Sequence, residues 1–346
     1  MKDVRLRLMQ NLGLLLAVCL FLLFWLTYNF NHPRGFSTVV FVQNANEAFV
    51  LAMVAMAQTV PVLMGGLDLS VGSVMTLVNC IASVLINGSA SQMLFGVVVC
   101  LAAGTAAGFV NGLVVVYGRI QPIIATLATG AIYMGIALFI RPTPGGEVDA
   151  DLSWAVSNEL KEVALTYGLF RDGEAAWFQP FAWLPVPLVV ALLVVVLVWL
   201  PFRNSITGRG VYAIGSSEGA AYMSGVRIER CKIAAFTLAG FLAGIGGLFL
   251  ALQTSSGNAD VPQAGAYTLN SIAAVVIGGT SLMGGSGGAI GSLIGAMVLR
   301  AISFNFRIFE IAPLLQPLVE GLVLLAAVSL GAARVLRVKN RLELLG

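Results

Sequence analysis

Long apolar runs, broken by short polar or glycine-rich interruptions, set the pattern of this chain; LGLLLAVCLFLLFWL, VPLVVALLVVVLVWL and VEGLVLLAAVSL are examples. Such runs match the roughly 20 mostly apolar residues that a membrane-crossing helix needs. The pattern predicts spans at about 12–30, 47–66, 70–87, 93–117, 122–140, 183–201, 233–253, 268–283, 287–306 and 312–331. The expected fold is an all-α polytopic membrane protein of about ten transmembrane helices. It forms one transmembrane domain over 1–346, with no room for a large soluble unit.

Two interruptions differ from ordinary loops. GGLDLSVG at 65–72 aligns with GGTSLMGG at 278–285: Gly65 and Gly66 match Gly278 and Gly279, Asp68 matches Ser281, Leu69 matches Leu282, and Gly72 matches Gly285. Glycine breaks at corresponding places in two halves point to a transport pathway. In a membrane, irregular backbone survives only where protein or water satisfies its polar groups. Each break is therefore a tight interfacial turn or an unwound helix beside an aqueous path. Gly65, Gly66, Asp68, Ser70 and Gly72 form the first candidate segment, and Gly278, Gly279, Ser281, Gly284 and Gly285 the second. Asp68 is costly in hydrocarbon and needs a partner or water. Three roles are open to it: capping the helix that follows, contact with a passing solute or gate, and a proton relay. Cap-and-turn is favoured, because few other carboxylates lie in the spans. Those few are Glu47 and Glu320. Glu320 and Arg300 fall at similar depth on antiparallel neighbours, so an Arg300–Glu320 pair is expected, since each alone is expensive to bury. The alternative has Arg300 snorkelling outward and Glu320 facing a cavity.

Composition reinforces the membrane reading: 58% of the 346 residues are hydrophobic and 10% are charged, against roughly 25% charged in a soluble domain. The net charge of +3 says less than its distribution. With ten spans, Arg34, Arg141, Lys161, Arg171 and Arg307 fall on one side. Arg300 lies inside a span, and the other thirteen of the 19 basic residues fall on the opposite side. The positive-inside rule makes that richer side cytoplasmic and places both termini there. The basic start, MKDVRLRLMQN, precedes an apolar run without a small-residue cleavage site, which predicts an uncleaved first helix.

Several chemistries are absent from the sequence. Cys19, Cys80, Cys100 and Cys231 have no CxxC spacing and His32 is the only histidine, so no metal site or disulfide framework is expected. There is no GxxxxGK[ST] phosphate loop, GxSxG, HExxH or paired-carboxylate constellation. The chain is not expected to be an enzyme, to hold a cofactor of its own or to bind nucleic acid.

Two loops are long. Residues 141–182 face outward and include DADLSWAVSNELKEVALTYGLF, which fits an amphipathic surface helix or a solvated loop with a few helical turns. Residues 202–232 face the cytoplasm and carry Arg203, Arg209, Arg227, Arg230 and Lys232. Within them, SSEGAAYMSG opens on capping serines and stops at Gly225, predicting a helix of about two turns able to enter a groove on another protein.

GGLDLSVGS, QPIIATLATGAIYMGI, GRGVYAIGSSEGAAYMSGV and AAVVIGGTSLMGGSGG, in this order between about Glu47 and Leu325, resemble the permease subunit of a ribose-type ABC sugar importer of the bacterial inner membrane. The resemblance implies a pore of two permeases, this chain twice or with a sister. It also implies two cytoplasmic ATPase subunits that bind the ATP, and a periplasmic sugar-binding protein. The 215–225 segment would be the helix coupling the permease to the ATPase. Ser216, Glu218, Ala220, Ala221 and Gly225 are its candidate residues. Ala220, Ala221 and Gly225 fit the spacing of the importer signature, EAA then three residues then Gly. Glu218 comes one position early, with Gly219 in the acid's place. The 141–182 loop looks longer than the family norm and is expected to touch the binding protein. An ion-coupled secondary transporter is the rival reading. It explains the repeat and Asp68 but not the glycine-bounded helix in a basic cytoplasmic loop.

Overall fold

The computed structural model describes residues 12–169 and 179–322, together with Leu325 and Ser329. The basic residues before position 12, part of the outer loop, and most of the chain beyond 322 lie outside the described residues. Of the expected 312–331 span, residues 312–322, Leu325 and Ser329 are described, and 316–322 is helical.

Among the described residues the chain is helical without a sheet, apart from the isolated bridges Gly145–Gly257 and Glu159–Pro185. Its helices are α1 (Leu12–Asn31), α2 (Thr38–Leu63), α3 (Val71–Leu85), α4 (Ala90–Tyr117), α5 (Pro122–Ile140), α6 (Ala150–Ser157), α7 (Leu160–Thr166), α8 (Val186–Val194), α9 (Leu200–Asn204), α10 (Ile206–Ser216), α11 (Glu218–Met223), α12 (Ile228–Thr254), α13 (Val261–Ile277) and α14 (Ala289–Ile308). A π-helical turn, Val195–Trp199, joins α8 to α9. Pro201 has no N–H to give the carbonyl four residues back, and a wider turn absorbs that defect. Among the described residues, seven helical stretches are long and apolar enough to cross a membrane: α1, α2, α4, α5, α12, α14 and the continuous Val186–Asn204. α3 and α13 are apolar but shorter. One begins just after the first glycine break and the other ends at the second.

Local chemistry sets several boundaries. α2 starts at Thr38, nine residues before the expected 47, because Ser37 Oγ accepts from the Val40 N–H at 3.3 Å and the polar stretch QNANE continues the helix outside the apolar window. α13 starts and stops about six residues earlier than the expected 268–283. Asp260 caps its first turn through the Gln263 N–H, 3.2 Å, and the Gly278–Gly279 pair ends it. The outer segment is two short helices, α6 and α7, rather than one; Glu159 at their junction is drawn into the bridge with Pro185. On the opposite side, residues 206–216 form a helix, α10, where only a loop was expected.

The core is built round α2 and α12. Every residue from Ala48 to Leu63 is buried, as expected of a helix apolar on all sides. α12 packs most extensively on α4, then on α2 and α3. Its crossing with α4 runs along Gly104, Gly108 and Gly112 on one helix and Gly240 and Gly244 on the other. A Cβ on Gly108 would lie 2.2 Å from the Phe236 carbonyl oxygen, and one on Gly240 would lie 2.2 Å from that of Gly104. The backbones touch here because neither helix presents a side chain, the small-xxx-small solution to packing in lipid.

Candidate functional site

α2 ends at the first glycine break. The Gly65 N–H donates to the Val62 carbonyl at 2.9 Å and the Gly66 N–H to that of Pro61 at 3.1 Å, with Gly65 at φ 76°. α13 ends alike: the Gly279 N–H donates to Val276 at 2.9 Å, the Thr280 N–H to Val275 at 3.1 Å, and Gly279 has φ 84°. Both helices close in a Schellman motif, which needs a left-handed residue just past the end. The structural equivalence is therefore Gly65 with Gly279, one position away from the sequence match of Gly65 with Gly278. Gly278 is still the helix cap, at φ −66°. α11 closes the same way at Gly225, φ 81°, through Gly225 N–H to Tyr222 and Val226 N–H to Ala221.

Beyond each stop an oxygen holds the next turn. Asp68 Oδ1 accepts from the Ser70 N–H at 2.8 Å and from the Ser70 hydroxyl at 2.6 Å. Its sequence match, Ser281, uses Oγ to accept from the Met283 N–H at 3.2 Å. Each is a side-chain turn closed two residues on. Asp68 is 2% exposed and sits in a buried polar cluster. Asn111 of α4 donates to Ser70 Oγ at 2.7 Å, and Tyr133 of α5 donates to Asn111 Oδ1 at 3.0 Å and to the Ala107 carbonyl at 2.9 Å. With its amide oriented to fit both groups, Gln58 of α2 donates to the Asp68 carbonyl at 2.8 Å and accepts from its N–H at 3.3 Å. Thr126 of α5 takes the Leu69 N–H at 2.8 Å, and Thr268 of α13 takes the Gly72 N–H at 3.2 Å. Asp68 thus holds the turn that enters α3, while Thr268 caps the helix proper. Ser70, the residue at the helix start, makes no side-chain cap. Gly72 meets α13 so closely that a Cβ would stand 2.0 Å from the Ala264 carbonyl oxygen.

The two breaks touch each other and a third element. The Gly285 N–H donates to the Leu63 carbonyl at 3.0 Å. The end of α10 enters between them: a Cβ on Gly215 would lie 1.9 Å from the Leu63 carbonyl oxygen and 2.4 Å from the Gly285 nitrogen. Gly284 packs on Gly215 and Gly65, Gly285 packs on Ser216, and Tyr212 donates to the Gly287 carbonyl at 2.9 Å. Ser217 then caps α11 through the Ala220 N–H at 3.3 Å. On α11, Ala221 is buried while Tyr222 and Met223 are 70% and 85% exposed. Glu218, first residue of α11, pairs with Lys232 of α12 at 2.7 Å, with its side chain 54% exposed. Solvent-screened pairs of this kind contribute about 0–1 kcal/mol. Glu218→Gln is accordingly expected to shift the thermal midpoint of the purified protein by no more than roughly 2 °C; a larger drop would make the pair a structural tie.

Arg300 and Glu320 do not pair. Glu320 accepts from Asn270 at 2.9 Å, from Gln316 at 2.7 Å and, more weakly, from Ser303 at 3.5 Å. Arg300 lies one turn deeper on α14 than Ser303, with its guanidinium 5.5 Å from the centroid of the Tyr267 ring. The carboxylate is already served by amides at its own depth, and the cation rests on an aromatic face. Among the described residues no group of three His, Cys, Asp or Glu side chains is placed to hold a metal.

The sequence reading did not single out Gln58, Asn111, Thr126, Tyr133 or Thr268. Each is an isolated polar residue in an apolar helix, and that was the only signal available.

Comparison with known proteins adds an independent line. Residues 40–328 match the family described as branched-chain amino acid transport system / permease component. The ribose import permease protein RbsC of Haemophilus influenzae is 33% identical over 86% of this chain and 86% of its own. RbsC of Bacillus subtilis is 31% identical over 93% and 92%, and the D-allose transport system permease protein AlsC of Escherichia coli is 28% identical over 85% and 82%. No solved structure matches the chain.

Proposed function

The chain belongs to the branched-chain amino acid transport system / permease component family, and from that premise we propose that it is the permease subunit of an ABC importer carrying a small sugar or related polyol inward across the bacterial inner membrane. The relatives' names supply the substrate class: ribose, allose and fructose permeases, with an autoinducer 2 permease beside them. Ten spans with both termini cytoplasmic remain the topology proposed, on the bias of basic residues. The partners are two cytoplasmic ATPase subunits, a periplasmic sugar-binding protein and a second permease.

One observation carries the mechanism: α11 is an exposed short helix whose supporting element, α10, is wedged into both glycine breaks. With α11 as the coupling helix, Tyr222 and Met223 provide the apolar surface that an ATPase groove would cover. A displacement of α11 would then reach the end of α2 and the break between α13 and α14 through Gly215, which lies against the Leu63 carbonyl and the Gly285 nitrogen without slack. The breaks act in this reading as the joint that conveys ATP-driven motion to the pathway helices. Asp68 fixes the shape of one half of that joint.

A native pull-down through a tag on this chain tests the proposal. A stoichiometric cytoplasmic ATPase is expected, and replacing 217–224 by a flexible Gly/Ser linker is expected to cut its recovery at least ~10-fold while the permease stays in the membrane. A chain that comes down alone, and moves solute in liposomes without ATP, would overturn the reading in favour of ion coupling.

A further inference from the structure

At the end of the molecule opposite α11, a cavity of about 550 Å³ opens between the first three turns of α2, the α6–α7 junction and the last turn of α12. Its lining is unlike the rest of this apolar chain. Gln43 and Asn46 come from α2, Asn158, Glu159 and Glu162 from the α6–α7 junction, and Gln253 from α12. We propose that this cavity is a subsite for a neutral polyhydroxylated solute, the place where the transported sugar first rests on the permease. The proposal builds on the sugar-import reading above and adds a location and a residue set to it.

Chemistry is the first argument. Adjacent hydroxyls on a sugar present paired donors and acceptors, and side-chain amides and carboxylates are the groups that answer both. Among the described residues, the Glu159 and Glu162 carboxylates accept no hydrogen bond from the protein, and Gln43 makes only a 3.5 Å contact with Glu47. These polar atoms are unspent and face the space. Glu47, by contrast, is already neutralised by a two-pronged pair with Arg307. Partial burial, and behind it the charge of Glu162, raise the Glu159 carboxyl above the ordinary range. Donated hydroxyl hydrogens would relieve that environment.

Shape is the second. The volume falls in the range of small-molecule sites, roughly 300–1,000 Å³. The walls are tied to one another before any ligand arrives. Asn46 Nδ2 donates to the Ser157 carbonyl at 2.7 Å, and Gln253 Nε2 donates to the Asn46 carbonyl. The Glu159–Pro185 bridge anchors the junction from behind. Asn158 Nδ2 is likewise engaged, on the Trp154 carbonyl at 2.8 Å, which leaves Gln43 and the two glutamates to meet the solute, and a fixed frame lowers the ordering cost of binding.

Gln43 and Glu162 are exposed, so changing them leaves the core intact. The test is saturation-transfer NMR on the full permease in lipid nanodiscs with D-ribose, D-allose, D-fructose and myo-inositol as probes. At least one probe is expected to receive saturation from the wild-type chain. Gln43→Ala/Glu162→Ala should reduce that signal at least ~5-fold, and Ser157→Trp, which fills the cavity, should remove it. An undiminished signal in these variants, or no signal from any probe, would overturn the subsite. Uptake by the wild-type transporter, measured in parallel with its ATPase and binding protein, decides the import reading separately. Variants with unchanged NMR signal but weaker binding-protein docking would show that the surface meets that protein instead, and the subsite would again be wrong.

Discussion

Gly240→Leu is expected to leave almost no folded protein in the membrane. The α4–α12 crossing is the most extensive helix contact among the described residues, and at Gly240 it has no room for a side chain. A Cβ on Gly240 would already lie 2.2 Å from the Gly104 carbonyl oxygen and 2.7 Å from the Gly108 Cα. Both are backbone atoms, so no rotamer change relieves the overlap; the helices must part. Overpacking a core costs about 1–3 kcal/mol even when side chains can yield, and here a whole seam would open. Gly244, one turn along the same face, is the control. Its nearest foreign atom to an added Cβ is 3.5 Å away, an ordinary contact, so Gly244→Ala should accumulate as the parent does. Fluorescence-detected size exclusion of tagged variants reads both. A monodisperse Gly240→Leu peak at parental height would mean that the seam does not determine folding.

Asp68→Ala is expected to cut uptake at least ~10-fold and to lower the thermal midpoint by roughly 5 °C. The alanine removes the acceptor for both the Ser70 N–H and the Ser70 hydroxyl. Those donors are buried, and a stranded buried donor costs about 1–3 kcal/mol. The damage should spread, because Asn111 and Tyr133 are aligned through Ser70. Asp68→Asn keeps an oxygen in the same place and should be markedly milder in both assays. If the asparagine variant instead loses uptake as completely as alanine while its midpoint stays at the parental value, then the negative charge, and not the turn, is what transport requires.

The membrane character of the chain and its helical build were legible because apolar runs of this length have few alternative structures; against the ten spans expected, seven helical stretches among the described residues are long and apolar enough to cross a membrane, with α3 and α13 apolar but shorter. The pairing of the two glycine breaks was legible too, although not its register. Which glycine of each pair turns left-handed depends on where the preceding helix makes its last bonds, and that shifts the match from Gly278 to Gly279. Helix ends were misplaced where polar residues continue a helix beyond its apolar part, as at Gln43 to Glu47, or where a cap such as Asp260 starts one early. The polar cluster round Asp68 was invisible because its members come from α2, α4 and α5, and lone polar residues carry no period. Arg300 and Glu320 were paired on charge and depth alone. Amides such as Asn270 and Gln316 compete for a carboxylate just as well, and a sequence gives them no visible claim.

The bond between the Gly285 N–H and the Leu63 carbonyl also orders events during synthesis. Ribosomes deliver the chain from its N-terminus, and α2, with the turn that follows it, is in the membrane long before residue 285 exists. Until the second break is made, the Leu63 carbonyl lacks the Gly285 N–H and the slot that holds Gly215 lacks its second wall. The end of α2 therefore waits, open, through the insertion of α3 to α13. A chain released early would display an unfinished glycine turn at the end of α2.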